Sequence, residues 1–67
     1  MNKAMLRSLM VLHGDTNKSL AEYLDISEKS VNDKMNENGT EFKQGEIEAI
    51  IRRYDLSAEQ VILIFFS

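Results

Sequence analysis

Residues able to make or break covalent bonds are scarce in this 67-residue chain, and those present are not spaced to cooperate. There is no cysteine and a single histidine, His13, so neither a disulfide nor a thiolate or histidine-rich metal site can be assembled. No glycine-rich phosphate loop and no nucleophile-and-base pair is present, and the carboxylates are scattered. No enzymatic activity, metal or cofactor is therefore expected. What stands out instead is a run of hydrogen-bonding side chains after Ser27. Glu28, Lys29, Ser30, Asn32, Asp33 and Lys34 surround only two substantial hydrophobes, Val31 and Met35. Those two are four apart and share one helical face. A helix here is pinned by a narrow stripe and turns most of its circumference toward something polar. A solvated surface helix is the plainest account of such a pattern.

The elements that must position this run can be read from apolar periodicity and capping chemistry. A first helix is expected over about Lys3–Leu12, with Met5, Leu6, Leu9 and Met10 as its stripe and Gly14 in a left-handed terminating position. Asp15, Thr16 and Asn17 supply a turn and an N-cap. A second helix over about Asn17–Leu24 turns Leu20, Ala21 and Leu24 inward, and Asp25-Ile26 breaks it. Ser27 caps the polar third helix, which runs to about Asn36, and Ile26 with Val31 forms a hydrophobic staple at its entry. The segment Asn36–Thr40 is a loop. A fourth helix over about Gln44–Tyr54 has the clearest stripe of the chain, Ile47, Ile50, Ile51 and Tyr54. Asp55-Leu56 ends it. Ser57 with Gln60 is a capping box for a fifth helix reaching about Phe66, and Leu56 with Val61 is a second staple. The chain reads as one all-α domain with no strand.

Size and charge bound what such a domain can do. So short a chain buries only about 60% of the surface it exposes when unfolded, so its core is marginal without a staple or a second copy. The net charge is −3, which does not favour nucleic acid as a partner. The distribution softens this: Met1 to Asn36 holds five basic and five acidic residues, and Glu37 onward holds three basic and six acidic. No export signal is visible, and the apolar run Val61–Phe66 is far short of the roughly 20 residues that span a bilayer. A cytoplasmic protein is expected.

The segment Asn17–Asn38, NKSLAEYLDISEKSVNDKMNEN, resembles the helix-turn-helix of the phage lambda repressor and Cro family, also called the Xre family. The resemblance rests on small Ala21 at the helix crossing, Leu20 and Leu24 beside it, Ile26 after the turn and Val31 five residues later. Downstream, the glycine loop, Phe42 with EIEAI, and Leu56-Ser57 through Phe65-Phe66 resemble the remaining helices of small phage repressors, so the likeness spans nearly the whole chain. Four positions depart from the family pattern: Asp25 stands where glycine is usual in the turn, Asn17 where glutamine is frequent, and Glu28 and Asp33 where basic residues are common. The resemblance implies a five-helix lambda-repressor-like fold and a sequence-specific DNA-binding transcriptional regulator. Its third helix would enter the major groove of a double-stranded operator. It places Glu28, Lys29, Asn32 and Asp33 at base edges. It places Asn17, Lys18 and Ser19, followed by Asn36, Asn38, Thr40 and Lys43, at phosphates. The alternative is a protein-interaction module that keeps this fold but binds a protein partner, which the acidic balance favours.

Other residues have plainer readings. His13 is a helix-end charge partner or a solvated residue. The four methionines are core filler or the initiator rather than a binding surface. Tyr54 fits the stripe of its helix, and Tyr23 is expected to be half-exposed. Arg52-Arg53 reads as a solvated face. The tail is less easily placed: Val61, Ile64 and Phe65 suffice to close a core, which leaves Ile62, Leu63 and Phe66 over for a partner surface. A symmetric homodimer through the fifth helix is expected, with a strand pairing between copies as the alternative.

Overall fold

A computed structural model describes residues 1–66. Five helices follow in order: α1 (Lys3–Leu12), α2 (Asn17–Leu24), α3 (Glu28–Met35), α4 (Gln44–Tyr54) and α5 (Ala58–Phe65). There is no strand among the described residues. Four of the five helices begin where a capping side chain supplies an acceptor for an unpaired first-turn N–H group. The Asn2 side chain accepts from the Met5 N–H, Thr16 from Ser19, Ser27 from Ser30 and Ser57 from Gln60. At α4 the cap is reversed, because Lys43 has no acceptor to offer. There the Glu46 carboxylate reaches back to the Lys43 N–H at 2.8 Å.

α1, α2 and α4 run into left-handed residues. Gly14 has φ +72°, and the turns after α2 and α4 use Asp25 (φ +58°) and Asp55 (φ +50°). Aspartate tolerates this region better than most side chains, so the absence of glycine at Asp25 does not prevent the turn. Glu37, with φ +54°, is a third such residue, and sequence offers no signal for it.

α2 and α3 form the most extensive helix–helix contact, with α5 against α1 the next. The small side chain of Ala21, buried with Leu20, lets α3 approach α2 closely. Leu6 and Met10 of α1, Val31 and Met35 of α3, Ile50 and Tyr54 of α4 and Ile64 of α5 complete the core, with Phe42 and Leu56 from the connections. Phe42 meets Phe65 edge to face, with centroids 6.4 Å apart, and so closes the loop over α5. The Asn2 N–H donates to the Ile64 carbonyl at 2.7 Å, tying the start of α1 to the end of α5. The radius of gyration is 10.7 Å, against about 10.9 Å for a compact chain of this length. Among the described residues no helix is long and apolar enough to cross a membrane.

Two isoleucines of α5 test which face is inward. Ile64 is fully buried and Ile62 is 57% exposed. Truncating Ile64 to alanine costs about 2–5 kcal/mol, which is about half of the roughly 3–10 kcal/mol available to a chain this size. Ile62→Ala changes the stability of the dilute chain by about 0.5 kcal/mol or less. Urea unfolding followed by circular dichroism measures both.

Candidate nucleic-acid interface

α3 is polar because only one edge of it is needed for packing. Val31 and Met35 are inward, whereas Glu28, Lys29 and Asn32 are exposed and Asp33 is half-buried. The four residues expected at base edges thus lie together, but they are not equally available. Lys29 Nζ donates to Asp33 Oδ2 at 2.7 Å, one helical turn away. Each raises the other's preference for its charged form: Asp33 holds the Lys29 ammonium above its usual pKa, and Lys29 holds the Asp33 carboxyl below its own. Asn32 Oδ1 accepts a long 3.3 Å bond from Asn36 Nδ2. Glu28 lies in the first turn of α3, where the helix dipole favours a carboxylate. Lys34 corrects the sequence reading. Instead of covering the solvated face it is 7% exposed, and its Nζ donates to both Glu46 oxygens at 2.7 and 2.8 Å. Burial, the largest single influence, raises the Glu46 pKa, but the hydrogen bonds from Lys34 and the Lys43 N–H together with the charges of both lysines outweigh it, and the carboxyl ends below its usual range.

The flanking residues divide in the same way. Lys18, Asn38, Thr40 and Lys43 are exposed. Asn17 is half-buried at the first position of α2. Ser19 is internally engaged: its Oγ donates to Asp15 Oδ1 at 2.7 Å and accepts from the Thr16 N–H at 2.9 Å. Asn36 is also occupied, accepting from Lys3 Nζ at 2.7 Å and donating to the Asn32 carbonyl at 3.0 Å. Of eight Lys and Arg residues, Lys29, Lys34 and Arg53 are in ion pairs. Arg7, Lys18, Lys43 and Arg52 are exposed with no ion pair among the described residues.

The chain matches no protein-family model, no curated protein and no solved structure.

A polar cluster centred on Asp15 joins the α1–α2 turn, α2 and α4, and sequence reading missed it. The Asp15 side chain, 5% exposed, accepts from Arg53 Nε and Nη2 at 2.7 Å each, from the Tyr54 hydroxyl at 2.6 Å and from Ser19 Oγ. The Arg53 guanidinium also lies 4.4 Å from the centroid of the Tyr23 ring. Arg53 is therefore not part of a solvated face, although Arg52 is. The hydrogen bonds from Arg53 hold the Asp15 carboxyl far below the usual carboxylate range. Burial, followed by the bond to Asp15, pushes the Tyr54 phenol well above its ordinary value. His13 is exposed at the end of α1, its ring 5.0 Å from that of Tyr54.

Ile62 and Leu63 on α5 and Phe66 just after it are exposed, as the residue spacing implies. Val11 and Leu12 on α1 are exposed as well, and sequence reading did not single them out.

Asp15→Asn leaves the Arg53 cation without its counter-charge. It costs about 2–3 kcal/mol, less than a fully buried pair because Arg53 keeps some solvent. A carboxylate with a depressed folded pKa supplies stability above its unfolded pKa and loses it as pH falls toward the folded one. The parent chain therefore weakens progressively below about pH 4, and the Asp15→Asn chain has a flatter acid limb. Thermal melts across the acid range measure this.

Proposed function

We propose that the chain is a sequence-specific double-stranded DNA-binding transcriptional regulator. In this reading α2 and α3 act as a helix-turn-helix of the lambda-repressor type, with Asp25 as its turn, and α3 lies in the major groove. One observation carries the proposal: α3 is buried along one edge against α2 while Glu28, Lys29 and Asn32 stand exposed together. Asn32 has the amide geometry to pair with adenine N6 and N7, Lys29 can donate to guanine O6 and N7, and Glu28 can accept from cytosine N4. α2 would lie across the backbone, with Asn17 and Lys18 at a phosphate. Asn38, Thr40 and Lys43 would meet a second phosphate from the loop. Ser19 and Asn36 serve this reading less directly, since both side chains are held internally.

Specificity on this surface comes at low affinity. Lys18 and Lys43 are the cations available to phosphates, which gives a slope of log K against log salt of about −1.8 per protomer. Two copies raise the total, and the exposed Ile62 and Leu63 of α5 with Phe66 after it supply the apolar surface for a symmetric dimer. Such a dimer would present two α3 helices to half-sites about 34 Å apart. The net charge of −3 favours the second reading, a protein-interaction module on the same fold.

Selection of the purified chain against a random duplex pool at low salt separates the two readings. Enrichment of a short inverted repeat supports the dimeric regulator. A pool that returns unenriched, with retention no better than a blank, overturns DNA binding and leaves a protein partner. On an enriched site, Lys29→Ala with Asn32→Ala removes about 1–3 kcal/mol of discrimination per lost bidentate contact. Asp33→Asn releases Lys29 and raises affinity. Fluorescence anisotropy titrations against matched and single-mismatch duplexes check both changes, and sedimentation at micromolar concentration tests the dimer.

A further inference from the structure

Asn38-Gly39 is the chain's one asparagine–glycine pair, and it lies in the exposed loop between α3 and α4. Asparagine is a thermolabile residue, and its reactivity depends on the residue after it. The next backbone nitrogen can attack the side-chain carbonyl carbon, and a side chain on that next residue crowds the approach. Gly39 has none, and beyond its two chain neighbours no other atom lies within 4 Å of where a Cβ would stand. The other four asparagines all precede residues with side chains: Lys3, Lys18, Asp33 and Glu37. They are also held by helices. Asn2 caps α1, Asn17 and Asn32 lie within α2 and α3, and Asn36 caps the end of α3 with its side chain bonded to Lys3 and to Asn32.

We propose that Asn38 is a site of spontaneous modification. The Gly39 nitrogen forms a bond to the Asn38 Cγ and gives up its proton. The bond from Cγ to the amide nitrogen breaks, and that nitrogen leaves as ammonia, closing a five-membered succinimide. One water then opens the ring at either carbonyl and yields aspartate or isoaspartate. The net change is one water added and one ammonia lost, with no oxidation or reduction. The Gly39 N–H is bonded to the Glu37 carbonyl at 3.0 Å and the Asn38 N–H to the Asp33 carbonyl at 2.9 Å, and the Asn38 side chain also engages the Asp33 carboxylate, so the reaction proceeds through local opening of this exposed loop.

The product adds a carboxylate to a loop already flanked by Asp33, Glu37 and Glu41, taking the net charge from −3 to −4. The isoaspartyl product also lengthens the backbone by a methylene. The functional consequence rests on the reading of this loop as a phosphate contact: a neutral donor becomes an anion, and DNA affinity falls as the protein ages.

The test is incubation of the purified chain at mildly alkaline pH and physiological temperature, followed by peptide mapping with mass spectrometry. Asn38 is expected to convert to two products of equal mass, faster than every other asparagine by at least about an order of magnitude, a barrier difference of about 1.4 kcal/mol. Asn38→Gln, which would need a six-membered ring, abolishes conversion at this position without disturbing the turn. Conversion of Asn38 no faster than that of Asn2, Asn17, Asn32 or Asn36 overturns the assignment. Aged protein is then compared with fresh protein on a selected duplex. Weaker retention, reproduced by Asn38→Asp, supports the functional consequence, and unchanged retention overturns it. Failure of fresh protein to bind any duplex overturns the DNA reading alone, because the mass measurement does not depend on it.

Discussion

The Asp15 carboxylate is the point on which the arrangement of helices depends. It sits in the α1–α2 turn, just before the residue that caps α2, and accepts from side chains on α2 and α4 at once. A nearly buried carboxylate is costly unless its lone pairs are satisfied. Here Arg53 takes two of the bonds, and Tyr54 and Ser19 complete the set. No buried side-chain polar atom is left without a partner among the described residues. In a chain with no disulfide and a small core, this cluster holds the start of α2 against the end of α4, where apolar contact alone is thin.

The same economy shapes the exposed surface. Three of the chain's cations are committed to carboxylates: Lys34 to Glu46, Arg53 to Asp15 and Lys29 to Asp33. The first two tie helices to one another, while the third lies on the outer surface, where an ion pair contributes little to stability. The exposed edge of α3 is consequently polar without being basic. A surface of that kind can distinguish partners by hydrogen-bond pattern, but it attracts an anionic partner weakly over distance.

The helices were legible in the sequence because their causes are local. The spacing of Ile47, Ile50, Ile51 and Tyr54, the Ser57–Gln60 box and the Ile26–Val31 staple each act within a turn or two of chain. The split of α5 into an inward Ile64 and outward Ile62 and Leu63 comes from period alone. The ties between helices were not legible. Asp15 looks like an ordinary turn residue, and Arg53 and Lys34 look like solvated charges, because nothing within a few positions of any of them names its partner. Arg53 lies 38 residues from Asp15, and Glu46 lies 12 from Lys34. Glu37 shows a further limit: its left-handed backbone is imposed by the loop's path and has no signature in residue type.

The Lys34–Glu46 pair has a mechanical consequence. It fastens the last turn of α3 to the first turn of α4; the far end of α4 is fastened through Arg53 and Asp15 to the start of α2, and α2 packs directly on α3. The three helices thus form a closed circuit, each braced by the other two. Tilting α3 would require a desolvated ion pair to come apart, so its exposed edge is held in one orientation before anything meets it. Whatever that edge contacts finds a surface already ordered, and little conformational freedom remains to be lost on association.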